Sequence, residues 1–173
     1  YALNDFIDEW HRSDQRNITP NGGFSMKCGG TDGSNYSNYV FGAAETPEFQ
    51  INDNTFIRFS HWMATGNPTA PSSPDGGYLE ISVNGSDWEM IYPLGGYPKT
   101  CLNLPGSPLA PDTPVFAGNI DWEQVEVDLS GQPAGNAKIR FVFGSAGMVT
   151  AEGWYIDDFQ VGSTTDASGL TPA

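Results

Sequence analysis

Positive charge is what this chain has least of. Against 21 Asp and Glu it carries only 7 Lys and Arg, a formal net charge of -14. Such a surface repels phosphate backbones, which argues against nucleic acid as a partner, and it repels anionic lipid headgroups. Most carboxylates have no Lys or Arg to pair with and are solvated. Any that is buried needs hydrogen bonds, a proton or a bound cation. Histidine is scarce as well, with His11 and His61 alone. Two His without metal spacing, and no His-Glu-x-x-His, give no basis for a zinc centre. The nucleophile elbow Gly-x-Ser-x-Gly, the P-loop and Gly-x-Gly-x-x-Gly are all missing, so catalysis is not expected. No apolar run is long enough to cross a bilayer, so membrane insertion is not expected either.

Cysteine is limited to Cys28 and Cys101. A disulfide between them would close a loop of roughly seventy residues, worth about 4 kcal/mol in the chain-entropy model. The alternative is two reduced, buried thiols. The disulfide is the expectation, because the rest of the composition has an extracellular or cell-surface character. Three Asn-x-Ser/Thr triplets, at Asn17, Asn35 and Asn84, fit an exported glycoprotein.

What the chain has in quantity is turn residues and rings. Its 173 residues, the size of one domain, include 21 Gly and 13 Pro, and 13% are aromatic. Gly and Pro break helices and make tight turns, while large rings supply core area. Period-two alternation marks half-buried strands at Gly77 to Val83, Trp122 to Leu129, Ala137 to Gly144 and Trp154 to Val161. Gly22 to Cys28, Thr55 to Met63 and Trp88 to Tyr92 are further strands, the last after an Asn84-Gly85 hairpin turn. No segment reads as a helix. The pattern predicts an all-β, two-sheet antiparallel sandwich over residues 1–162, with a polar tail or linker at 163–173. Two long Gly/Pro-rich loops, Thr65 to Pro74 and Gly95 to Asn119, call for a pin such as a disulfide or an ion.

Gly153 to Phe159 reads GWYIDDF. His61-Trp62 ends one strand, and Asp75-Gly76-Gly77 opens the next, LEISVNG. Trp88, Gly95-Gly96-Tyr97-Pro98, Phe116 to Asn119, Trp122, Val127 to Ser130, Ile139 to Phe141 and Phe143 to Ser145 follow in order. In this set and order the chain resembles MAM-like, cleaved-adhesin-type jelly-roll domains, over about Gly22 to Val161. Such domains accompany immune inhibitor A-like peptidases and other secreted bacterial or archaeal surface proteins. The resemblance implies a jelly roll, an accessory role, and a structural Ca²⁺ near the last strand.

Asp157 is the first candidate for that ion, since alternation turns one of Asp157 and Asp158 toward apolar neighbours. Ca²⁺ takes several carboxylate and carbonyl oxygens. Glu152, Asp75 and Asp32 are possible co-ligands. The competing role for Asp157 is to cap loop N–H groups without an ion, and for Asp32 an ordinary turn. His61 reads as a buried ring bonded to a carboxylate or carbonyl. Trp62 and Tyr97, with Tyr36 and Tyr92, lie near loops where exposed rings stack on sugars; core packing is the alternative. Together these readings predict a non-catalytic adhesion or recognition module, stabilised by calcium, that binds a glycan or a protein on a surface. A subunit of an extracellular filament, exchanging the N-terminal run Tyr1 to Trp10 between copies, is the second expectation. A hydrolase with a carboxylate pair is the third.

Overall fold

The computed structural model describes residues 1–163; of the expected tail, all but Ser163 lies outside the described residues. The chain is all-β, a two-sheet antiparallel sandwich, with no helix among the described residues. Thirteen strands run in chain order: β1 (Trp10–Ser13), β2 (Ser25–Cys28), β3 (Phe41–Glu45), β4 (Phe49–Ile51), β5 (Thr55–Ala64), β6 (Ser72–Ser73), β7 (Gly76–Val83), β8 (Glu89–Ile91), β9 (Lys99–Cys101), β10 (Pro114–Val115), β11 (Asn119–Asp128), β12 (Gly135–Gly144) and β13 (Gly153–Ser163). One large sheet has the order β1-β2-β13-β5-β11. The other is β3-β12-β7-β8, with β4 also paired to β12. From β5 onward the chain crosses repeatedly between the two sheets, as a jelly roll does.

The alternating residues meet as their period requires. Phe59, Met63, Trp154 and Ile156 of the first sheet pack on Leu79, Ile139, Phe141 and Phe143 of the second. The rings interlock edge to face, with Phe59 and Phe141 centroids 5.1 Å apart. A side chain at Gly77 would collide with the Trp154 ring, which is why glycine opens β7. At the Asn84-Gly85 turn both residues have positive φ, 54° and 76°, the type I′ geometry that Asn-Gly favours.

The two long loops pin each other. β6 from one pairs in parallel with β9 from the other, and β10 adds to β9 to make a third, small sheet. The Lys99 ammonium donates to the carbonyls of Asn67, Pro68 and Ala70 at 3.0, 2.8 and 2.6 Å. The pin is therefore a lysine and a strand pair.

The expected disulfide is corrected. Cys28 and Cys101 are both buried free thiols. Cys28 packs between the large sheets and Cys101 beneath the small one, in separate clusters. Burial pushes both thiols up, Cys101 to about 12, so neither is a ready nucleophile.

The N-terminal run folds back on its own chain. Residues 1–3 lie along the β3 edge, with Leu3 N donating to Phe41 O at 2.8 Å and Ala43 N to Tyr1 O at 2.9 Å.

Candidate functional site

Loop 14–24, between β1 and β2, folds over the outer face of the β13 sheet, and several expected site residues lie beneath it. Tyr155 and Trp62 are cross-strand partners, their rings edge to face at 5.6 Å. The Arg16 guanidinium lies 3.7 Å over the Trp62 ring and forks onto Glu152 at 2.6 and 2.8 Å. Glu152 also accepts the Tyr155 hydroxyl at 2.9 Å. The Arg16 bonds hold its carboxyl below the usual range. Lys27 is wholly buried beside them, donating to Gln15 Oε1 at 2.7 Å and Gly30 O at 2.6 Å. This network fastens the loop: Glu152 is spent on an ion pair, and one Trp62 face is covered.

Asp157 and Asp158 form a separate place. Asp157 pairs with Ser60 and Gln160 with Arg58, so two β13 residues oppose Phe59 alone. Asp158 takes a left-handed φ of 50° at this bulge. The bulge corrects the strict alternation expected over Trp154 to Val161, which would put Phe159 on the face of Tyr155 and Asp157: Phe159 instead packs against the core with Trp154 and Ile156. Asp157 keeps the Tyr155 face and caps the loop. Its oxygens accept Ile18 N at 2.9 Å, Thr19 N at 3.3 Å, the Thr19 hydroxyl at 3.0 Å and Asp158 N at 2.8 Å. The Thr19 hydroxyl also lies 2.6 Å from Asp158 Oδ1. Burial works against the Asp157 charge, but these donors outweigh it and lower the pKa. Neither aspartate has a cation at ion-pair distance among the described residues.

Asp75 lies elsewhere and is the wholly buried acid. Its two oxygens accept the Tyr36 hydroxyl and Ala146 N, both at 2.7 Å. Desolvation pushes its carboxyl up to about 6, against the pull of these bonds. Asp32 is exposed, with φ 54°, in a turn closed by Ser34 N on Thr31 O at 3.0 Å. The five acids thus lie at four places, only Asp157 and Asp158 being together, and no three His, Cys, Asp or Glu come together among the described residues. Calcium wants six to eight oxygens, and here Glu152 is salt-bridged while Asp157 is filled with N–H and O–H donors. As a calcium centre this set does not fit.

The remaining candidates take up packing roles. His61 is fully buried. The Trp154 indole can only donate, and its N–H reaches His61 Nδ1 at 3.0 Å; Nε2 therefore carries the proton, toward Glu123 Oε1 at 3.1 Å. Burial lowers the His61 pKa and Glu123 opposes the shift. Tyr36 is buried on Asp75. The half-buried Tyr97 donates its hydroxyl to Ile91 O at 2.6 Å and receives Leu79 N at 3.0 Å. Of the triplets, Asn17 Nδ2 is buried, and Asn84 Nδ2 lies 3.3 Å from Ala134 O. Asn35 is exposed, its Nδ2 donating to Thr150 O at 3.1 Å.

A groove of about 430 Å³ opens where the sheets part. β3 ends at Glu45 and the chain turns through Thr46 and Pro47, leaving part of the inner face of β1, β2 and β13 uncovered. Trp10, Phe24, Met26, Phe141, Ile156 and Phe159 make its walls, with Glu45, Asp157 and Asp158 on the rim. Phe24 is 48% exposed and Met26 39%, although both stand on the apolar face. The Arg12 guanidinium lies 3.5 Å over the Phe24 ring. Sequence reasoning missed this site. Phe24 and Met26, two apart, gave its wall; nothing local said that the opposite sheet would stop short.

No protein-family model matches the chain, and no curated protein is significantly similar to it. Among solved structures it is similar to part of the glycoside hydrolase domain of Endo-D from Streptococcus pneumoniae R6. The two share 16% identity at a TM-score of 0.50, over 89% of this chain and 20% of that one. This chain thus matches about a fifth of that protein's length, and the likeness is one of fold alone.

Proposed function

We propose that this chain is a non-catalytic recognition module of an exported, surface-acting protein, and that it takes its ligand in the groove between the sheets. The observation that carries the reading is the groove itself: six apolar side chains, two of them well exposed, in a cleft of about 430 Å³. Exposed apolar clefts of this size are characteristic of binding sites. The MAM-like resemblance and the acidic composition support an extracellular setting. The apolar walls favour a protein segment over a glycan. Against a hydrolase, Asp157 is held ionised by its donors and is a poor general acid, and Glu45 is bonded to the Tyr1 hydroxyl at 2.6 Å. The part of Endo-D that this fold matches does not bring that enzyme's activity with it.

The test is a paired glycan and peptide array with the native chain and Met26→Lys. Met26 is exposed, so the variant retains the fold while placing a charge in the cleft. Ligands retained by the native chain and lost by the variant support the reading. A ligand set indifferent to the substitution refutes it. The filament reading has one observation in its favour: residues 1–3 lie along the β3 edge through an isolated bridge and two backbone hydrogen bonds, a place that the same run of a second copy would take in an exchange. Concentration-dependent filaments in negative stain would shift the assignment to that reading.

A further inference from the structure

The groove adjoins a strand edge that has no partner strand among the described residues. β2 pairs with β13 only at Trp154, Tyr155 and Ile156. Beyond the bulge, β13 pairs with β5 on one side, through Gln160, Val161 and Gly162. On the other side no strand is described for these three residues, and Gln160 and Val161 are exposed. An edge of this kind is a template for an added strand, and its affinity comes from main-chain hydrogen bonds. Beside it lies the cleft of Phe24, Met26 and Phe159, which would receive a side chain from such a strand. The charge of the rim narrows the choice further. Asp158 stands there without an ion pair among the described residues, while the neighbouring Asp157 carboxylate is taken up by the loop, on a chain of net charge -14. The groove's own cation, Arg12, is stacked on Phe24.

We propose that the groove binds an extended, cationic peptide segment, which adds as a strand beside Gln160–Gly162 and sets an apolar side chain between Phe24, Met26 and Phe159. This deepens the recognition reading and rests on it. Alternate side chains of the added strand point to one face. One apolar anchor flanked by lysine or arginine therefore satisfies cleft and rim together. Pairing along the edge needs free N–H groups on the ligand, and Asp158 on a strongly acidic chain selects against acidic segments.

The probe is a blocked hexapeptide alternating lysine with valine and phenylalanine, titrated against the full chain by amide chemical-shift mapping. Saturable shifts at Phe24, Met26 and Gln160–Gly162 are expected. Replacing the lysines by glutamates, or N-methylating alternate amides of the probe, weakens binding at least tenfold. Asp158→Asn keeps a residue that tolerates the left-handed φ and removes one rim charge. It weakens the lysine peptide several-fold and spares a neutral version. Equal binding of lysine and glutamate probes, no effect of N-methylation, or shifts away from the groove overturns the proposal. If none of these probes binds while Met26→Lys still abolishes an array ligand, strand addition falls and the recognition reading stands. If Met26→Lys changes nothing, both fall. A dimer that forms through the same residues and excludes the probe makes a second copy the occupant and overturns the cationic peptide.

Discussion

Asp75→Asn is the sharpest test of how this fold treats its acids. Asp75 is wholly enclosed, accepts two hydrogen bonds and has its carboxyl raised from 3.8 to about 6. Between those values the folded state holds a proton that the unfolded state has released. Stability therefore falls as pH rises through this window. A rise from 3.8 to about 6 corresponds to about 3 kcal/mol. The contribution is complete below the unfolded value near 3.8 and is lost as pH climbs past about 6. Asparagine at 75 has the same shape and no titration. Urea unfolding of both proteins at intervals from pH 4 to 7.5 gives the difference in unfolding free energy. The variant should gain about 2.5 kcal/mol on the native chain across that range, the rest of the change lying below pH 4. The change with pH is the readout, since the amide also alters the bond with Tyr36 at every pH. Other groups titrate alike in both proteins and cancel. A flat difference would refute the burial argument. A difference of opposite sign would mean that folding favours ionised Asp75, as a bound cation would.

Tyr36→Phe removes one of the two donors on Asp75; a loss of about 1–3 kcal/mol at pH 7 and a step moved to higher pH check it by the same unfolding series. Asp157→Ala leaves Ile18 N, Thr19 N and Asp158 N without this acceptor and frees loop 14–24, for about 1–3 kcal/mol by urea unfolding and faster amide exchange at Ile18 and Thr19. Because those donors already fill Asp157, melting midpoints with calcium and with EDTA should coincide. An upward shift with calcium would put an ion on the folded state. Neither Cys28 nor Cys101 should react with a thiol reagent in the native chain, and both should react in denaturant without prior reduction, as free buried thiols do.

The sequence determined the sandwich. Alternation over Gly77 to Val83, Trp122 to Leu129 and Ala137 to Gly144 puts one set of side chains toward a core whatever the partners are. Those runs fall on β7, β11 and β12. Asn84-Gly85 likewise fixed its hairpin, because the type I′ geometry is a property of two residues. It also offered the capping role that Asp157 takes. Tertiary structure decided the rest, because the rest depends on residues far apart in the chain. The counter-charge problem expected at Asp157 sits at Asp75, since burial is set by what packs over a carboxylate and not by its strand phase. The bulge at Asp158 moved Phe159 to the core. The long loops are pinned by Lys99 because three carbonyls from another segment reach it. The groove exists because β3 ends at Glu45 and leaves Phe24 and Met26 uncovered, a mismatch between two sheets that no single stretch of sequence contains.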